Sequence, residues 1–313
     1  MTARALNAES SSDLVRGDDG IDEHRPRLLG LAYRMLGDVD EAEDVVQEAF
    51  LRWHLTDQEV VRAPEAWLVT VVTRLSVNRL RRLRTERATY PGPWLPEPVA
   101  IDPALVPASP PAPDHAAELA SDLSIGLLLL LERLAPVERA ALLLRDVFDT
   151  EYAEIARILE RSADAVRQLV HRARTRVRAE RTRVAVPPSE HERILDHFTS
   201  ALSAGDAPAL LALLAPDVVL GTDGGGRARA ARRWLHGQDR VTRFLLGVSR
   251  KFGHEYSRRL TRLNGRPAVL VFTDGVLASV TTAEVDGGRI RALHVVRNPE
   301  KLRHVLEPTV RLV

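Results

Sequence analysis

Apolar residues recur every three or four positions over most of the first 180 residues, then give way to short strand-like runs. Leu28, Leu29, Leu31, Ala32, Met35 and Leu36 make one helical face, and Gly37 interrupts it. Asp38 or Asp40 can cap a second helix carrying Ala42, Val45, Val46, Ala49, Phe50 and Trp53. Pro64 opens a third helix through Trp67, Leu68, Val71, Val72, Leu75, Val77 and Leu80. Prolines at 91, 93, 96, 98, 103, 107, 110, 111 and 113 then exclude helix and predict an extended linker. Helical spacing resumes over about 118–134, from Pro136 through Phe148, and over Tyr152 to Leu159. A tight turn and a longer helix follow, with Ser162 as its N-cap. Helices are expected at 190–204, 208–214 and 238–252. Strands are expected around Val218-Val219-Leu220 and at 256–263, 268–273, 276–285 and 289–297, with turns at Gly265 and Gly287-Gly288.

The pattern divides the chain into a polar tail (1–22), an all-α domain (23–88), a Pro-rich linker (89–115), a second all-α domain (116–184), an α+β domain (189–304) and a short tail (305–313). A short helix and a longer one joined by a tight turn, at 152–178, is the helix-turn-helix pattern. The expected fold class is multidomain: two all-α domains followed by an α+β domain with a mostly antiparallel sheet.

Charge sharpens this division. The net charge is only +1, but its distribution is uneven. Residues 36–48 hold Asp38, Asp40, Glu41, Glu43, Asp44 and Glu48 and no basic side chain. Residues 74–87 hold Arg74, Arg79, Arg81, Arg82, Arg84 and Arg87 against Glu86 alone, and 157–183 hold nine arginines against three acids. Arginine clustered on particular helices is the footprint of a nucleic-acid binder. Part of it reflects a general Arg bias, since lysine occurs only as Lys251 and Lys301. The chain has no cysteine, which removes disulfides, thiol nucleophiles and cysteine-ligated metals. The apolar run Leu127–Leu131 is too short to span a bilayer and Met1–Asp22 lacks a signal-peptide core, so a soluble, cytoplasmic protein without a membrane partner is expected.

Trp94-Leu95-Pro96-Glu97-Pro98 is anomalous within the linker. A spacer needs no Trp or Leu, so either these residues pack locally or they anchor another domain. Asp223-Gly224-Gly225-Gly226-Arg227 lacks the Lys-Ser or Lys-Thr of a phosphate-cradling loop. Its glycines permit another backbone to come close.

The string Asp40-Glu41-Ala42-Glu43-Asp44-Val45-Val46-Gln47-Glu48-Ala49-Phe50 resembles the polymerase-binding helix of extracytoplasmic-function sigma factors. Phe148-Asp149-Thr150-Glu151-Tyr152-Ala153-Glu154-Ile155-Ala156, continued to Arg178, resembles their second DNA-binding domain. Residues 190–302 resemble the SnoaL-like fold, which one sigma subgroup carries at its C-terminus. The signatures of that subgroup are the Trp94–Pro98 string, Asp223 to Gly226, and Asn298-Pro299-Glu300-Lys301-Leu302. Arg227 stands where the subgroup usually has Lys. The resemblance implies promoter-specific transcription initiation with core RNA polymerase and promoter DNA as partners, no catalytic residue, no metal and no cofactor.

It assigns polymerase binding to Asp38, Asp40, Glu41, Glu43, Asp44 and Gln47. It assigns the downstream promoter element to Arg74, Asn78, Arg79, Arg81 and Arg82. In the recognition helix, Arg167, Gln168, His171 and Arg172 are the candidates for base edges, because Arg can pair with guanine and Gln with adenine, and Arg174 is a further DNA-binding candidate. Trp94, Leu95, Pro96, Glu97, Pro98, Asp223, Gly224, Gly225, Gly226, Arg227, Asn298 and Pro299 make a regulatory junction between linker and C-terminal domain. Two alternatives stay open. One is a C-terminal pocket that binds or turns over a small molecule, with His197, Asp217, Asp223, His254 and His294 as candidates, although no spacing among them defines an acid–base pair. The other is a regulator that uses the helix-turn-helix alone, which would have no need of the acidic helix.

Overall fold

The computed structural model describes residues 21–100, 122–180, 186–252 and 256–306. Most of both expected tails, linker residues 101–115, the first residues of the expected 118–134 helix, residues 181–184 and His254 lie outside them.

The N-terminal helices are α1 (Arg25–Leu36), α2 (Val39–His54) and α3 (Pro64–Arg87). After the linker come α4 (Ile125–Glu132), α5 (Pro136–Asp146), α6 (Tyr152–Leu159) and α7 (Ala163–Glu180). Their ends follow local chemistry. The Asp38 side chain accepts from the Glu41 amide at 3.1 Å to cap α2, and Ser162 Oγ accepts from Ala165 N to cap α7. Gly37, at φ 70°, ends α1 in the left-handed region. The two helical domains do not pack as separate bodies: their buried side chains, from Ile21 to Val177, form one apolar core.

The C-terminal domain comprises α8 (Pro188–Ala204), α9 (Ala207–Leu213), β1 (Leu214–Asp223), β2 (Leu235–His236), α10 (Gln238–Phe252), β3 (Tyr256–Leu263), β4 (Arg266–Thr273), β5 (Val276–Asp286) and β6 (Arg289–Val296). The strand order is β2-β1-β6-β5-β4-β3. All neighbours are antiparallel except β1 and β6, which run parallel with Gly221 opposite His294. β4 starts two residues earlier than the alternation predicts. Asn264 (φ 53°) and Gly265 (φ 72°) close a two-residue turn that sets Leu263 opposite Arg266. The expected α+β fold class, with helices first and a mostly antiparallel sheet, is observed. Ile194, Leu195, Phe198, Val241 and Leu246 bury one sheet face. The other face collects Leu263, Ala268, Leu270, Val280 and Val296 and is covered by Leu95 of the linker with Leu302 and Val305. The alternation of the strands is thus buried on both faces, one of them by the chain's own linker.

Candidate polymerase, promoter and interdomain surfaces

The acidic helix α2 buries Ala42, Val45, Val46, Ala49 and Trp53 and leaves Glu43, Asp44, Gln47 and Glu48 exposed. Its first turn is not free. Asp38 is used as the cap, and Asp40 meets Arg303 at 2.9 Å and the His304 ring at 3.4 Å. Glu41 and Asp44 both bind Arg79 of α3. Only the later part of the acidic stripe therefore stands open to a partner.

On α3 the apolar face faces α1 and α2, and Trp67 packs edge-on against Trp53 at 5.4 Å. Arg74, Asn78, Arg81 and Arg82 are exposed. Arg74 nonetheless reaches across to the helix-turn-helix: its Nε donates to Ile158 O at 2.9 Å, Nη2 donates to Arg157 O, and Glu160 lies 3.2 Å away. Arg79 serves Glu41 and Asp44, Arg81 donates to Asn78 Oδ1, and Arg82 lies 3.3 Å from Glu86. Arg84 donates to the carbonyls of Glu132 and Leu134, and Arg87 pairs with Glu132 at 2.7 Å. Buried Arg139 joins the same cluster, bonding Glu132 and the Arg34 carbonyl. Burial pulls its guanidinium down to about 10, against the pull of Glu132. The far end of the basic helix thus fastens the two helical domains together, which charge clustering alone does not reveal.

In α7, Val166, Val170, Ala173 and Val177 are buried, while Arg167, Gln168, His171 and Arg172 are exposed on one side. Arg167 lies 2.5 Å from Asp164, and Arg172 is 3.5 Å from Glu138. Arg174 is the remaining DNA-binding candidate on this helix. It is held by buried Asp146 at 2.5 Å, tying α7 to α5, which is a role inside the fold.

The linker junction is the most densely bonded part of the molecule that sequence singled out. Asp223, at the end of β1, is wholly buried. It accepts from Tyr90 Oη at 2.6 Å, Leu95 N at 2.9 Å, Gly225 N at 3.0 Å and Lys301 Nζ at 2.7 Å. Lys301 also donates to Leu95 O at 2.6 Å, so its ammonium bridges linker and strand. Burial lowers its pKa, and Asp223 opposes that shift. A Cβ on Gly225 would collide with the Asn298 side chain, and Gly225 sits at φ 59°, so the approach requires glycine. Asn298 caps the short 3-10 turn Pro299–Val305 by accepting from Glu300 N.

Two details depart from the expectation. Trp94 is not the buried anchor: Leu95 is, at 0% exposure. Trp94 is half-buried between the Arg87 guanidinium at 3.5 Å and the Lys301 ammonium at 4.4 Å from its ring centre. A Cβ on Gly37 would strike the same ring at 2.9 Å. Arg227, placed by the sequence in the junction with the linker, pairs instead with Glu300 of the C-terminal domain at 2.6 Å.

Further along the linker, Glu97 accepts from the Val39 amide at 2.9 Å and lies 2.7 Å from His304. Burial pushes its carboxyl up to about 7, against the pull of His304. Tyr33 Oη donates to Glu97 O, and Asn264 holds both Tyr33 and the Val99 backbone. Residues 33–39, Asp223, Asn264 and the 3-10 turn holding Lys301 and His304, far apart in sequence, thus grip residues 95–99. Sequence reasoning did not select Tyr90, His304, Tyr33 or Asn264, and gave Lys301, though it lies in a signature string, no role of its own. Lys301 had a readable signal, as one of two lysines in an arginine-rich chain; Tyr33 and Asn264 had none.

The residues weighed for catalysis do not converge. His197 is exposed, Asp217 pairs with Arg291 at 2.5 Å on the surface, and Asp223 belongs to the junction. His294 is buried with Nδ1 lacking a hydrogen-bond partner, and burial lowers it to about 4. Among the described residues no group of three or more His, Cys, Asp or Glu side chains could hold a metal ion, and no helix is long and apolar enough to cross a membrane.

Comparison with known proteins gives two family matches: sigma-70 region 2 over residues 21–86 and sigma-70 region 4 over residues 125–177. The ECF RNA polymerase sigma factor SigJ of Mycobacterium tuberculosis is 39% identical over 287 residues, covering 88% of this chain and 90% of that protein. The probable ECF RNA polymerase sigma factor SigI of the same species is 33% identical, covering 89% of this chain and 92% of that one. The crystal structure of SigJ superposes with a TM-score of 0.72 at 34% identity, over 92% of this chain and 99% of that chain.

Proposed function

The chain belongs to the extracytoplasmic-function sigma factors of the sigma-70 family, and on that premise we propose that its resting form is closed, with the two DNA-reading domains held together by the linker and the C-terminal domain. As an RNA polymerase sigma factor it acts with core polymerase and promoter DNA in transcription initiation.

The observation that carries the proposal is Arg74, a candidate DNA contact on α3, bonded to the carbonyls that end α6 in the helix-turn-helix. Two promoter elements cannot be held apart by two readers while a basic side chain of one is fastened to the backbone of the other. The C-terminal domain reinforces closure through Glu284, which packs on Gly126 of α4, and through Arg266, which lies 3.7 Å from Asp122. Arg303 and His304 at Asp40 further cover the start of the acidic helix. Core polymerase, attracted by Glu43 and Asp44 and contacting Gln47 beside them, opens the molecule by moving the second helical domain away. Residues 90–99 stay seated on the C-terminal domain. Arg81, Arg82 and Asn78 then face the downstream element, with phosphate contact for most and base reading for few. Arg167, Gln168, His171 and Arg172 face the upstream one.

The natural chain has no cysteine, so a single introduced pair can be cross-linked without background. Arg74→Cys with Glu160→Cys, joined by a short cleavable bis-maleimide, is expected to lose run-off transcription with core polymerase and regain it when the cross-link is cleaved. Undiminished transcription from the cross-linked protein would show that opening is not required.

A further inference from the structure

The loop from Gly224 to Trp234 and the first turns of α10 contain Arg227, Arg229, Arg232, Arg233, Arg240 and Arg243, with Asp239 the one acidic side chain between residues 224 and 243. Arginine is common in this chain, so abundance alone decides nothing. What differs is how these side chains are used. On β3, Arg258 donates to Thr199 O and Ser203, Arg262 to Gly265 O, and Arg259 lies over the Phe272 ring. In the loop, Arg227 is neutralised by Glu300. Arg229, Arg232 and Arg233 are exposed, and among the described residues their side chains have no ion pair or hydrogen bond.

The loop that presents them is fixed. Thr222 Oγ1 accepts from Ala231 N at 2.6 Å, Arg297 Nη1 donates to Arg229 O at 2.7 Å, and Gly224 O accepts from the Arg227 and Ala228 amides. It is also fixed against the end of α3. Gly226 packs on Pro91, Gly92 on Ala231 and Arg232, and Tyr90 donates to Asp223. The unpaired guanidiniums therefore stand on a rigid support packed against residues 90–92, just past the end of α3. A fixed cluster of unneutralised charge beside a DNA-holding helix suits a phosphate backbone, whose contacts need charge and position but no base edge.

We propose that Arg229, Arg232 and Arg233 form a third DNA-contacting surface, gripping the phosphate backbone of the promoter duplex next to the element that α3 holds. The inference rests on α3 facing DNA in the polymerase complex. It gives the C-terminal domain a direct part in promoter binding, beyond restraining the helical domains. Because the loop stays attached to residues 90–92, it travels with α3 when the second helical domain moves away.

The test uses full-length protein with core polymerase and measures promoter affinity against salt. Each cation removed from a phosphate lowers the slope of log affinity against log salt by about 0.9. Arg229→Ala, Arg232→Ala and Arg233→Ala together are expected to flatten the slope by about two to three, alike on promoters of different sequence. Lysine at the same three positions is expected to restore most of the slope. A wild-type slope in the triple alanine protein overturns the proposal. In that case a flattened slope for Arg81→Ala with Arg82→Ala keeps α3 at the DNA, whereas an unchanged one removes that reading as well. Loss of affinity for core polymerase itself in the triple variant also overturns the proposal, since the loop would then touch protein.

Discussion

Replacing Lys301 by Met should unlock the linker from the C-terminal domain without unfolding either helical domain. The side chains have similar length, so the change removes the ammonium and little volume. What remains is the Asp223 carboxylate, at 0% exposure, still accepting from Tyr90, Leu95 N and Gly225 N but without a countercharge. Leu95 O loses its donor as well. Removing one partner of a buried ion pair costs about 3–5 kcal/mol. Asp223 can regain water by releasing residues 90–95, so the cost falls on docking. At about 1.4 kcal/mol per factor of ten, the open junction should become roughly 10²- to 4 × 10³-fold more populated. Hydrogen exchange at the Leu95 amide, which Asp223 protects directly, reads that population. Asp223→Asn alone strands a buried lysine and should also be costly, while the pair Asp223→Asn with Lys301→Met should cost much less than the sum. Leu95 protection within twofold of wild type in Lys301→Met, or strictly additive effects, would refute the assignment of this pair as the lock.

Arg167→Ala and Gln168→Ala should lower transcription in a promoter-dependent way, by about 1–3 kcal/mol where a base pair is read, whereas exposed Arg178→Ala should weaken all promoters alike; equal losses everywhere for the first two would misplace the readers. Reversing charge at Glu43 and Asp44 should weaken binding to core polymerase, and Arg303→Ala with His304→Ala, which uncovers Asp40, should strengthen it, both checked by titration of labelled core. Glu97 binds its proton more tightly when docked, with a pKa of about 7 against the ordinary 4.5, so its contribution to docking is complete below about 4.5 and is lost as pH rises through 7. Exchange protection of residues 95–99, compared at each pH with Glu97→Gln to cancel the intrinsic rate, should therefore fall between about pH 4.5 and 7 in the natural protein alone.

Much of the architecture is legible in the sequence because it rests on local rules. The period of the apolar residues sets α2, α3 and α7, Asp38 and Ser162 cap their helices where short polar side chains can reach a backbone amide, and prolines after residue 90 forbid helix. The exposed stripe of Arg167, Gln168, His171 and Arg172 follows from the same period, since Val166, Val170, Ala173 and Val177 must face inward. The three signature strings indicated that linker and C-terminal domain meet. Tertiary structure alone decided how. Sequence could rank Trp94 above Leu95 by size, yet depth of burial depends on the shape of the receiving face, and the sheet accepts the leucine while two cations take the ring. Nor does an arginine's spacing say what it touches. Arg74, Arg79 and Arg174 share the charge and helical setting of Arg81 and Arg167, but their partners at Ile158, Glu41 and Asp146 arrive from other elements. A guanidinium is long, flexible and indifferent to which carboxylate or carbonyl it meets. Its role is therefore fixed by the chain packed opposite, over 80 residues away for Arg74, and no local pattern encodes that neighbour.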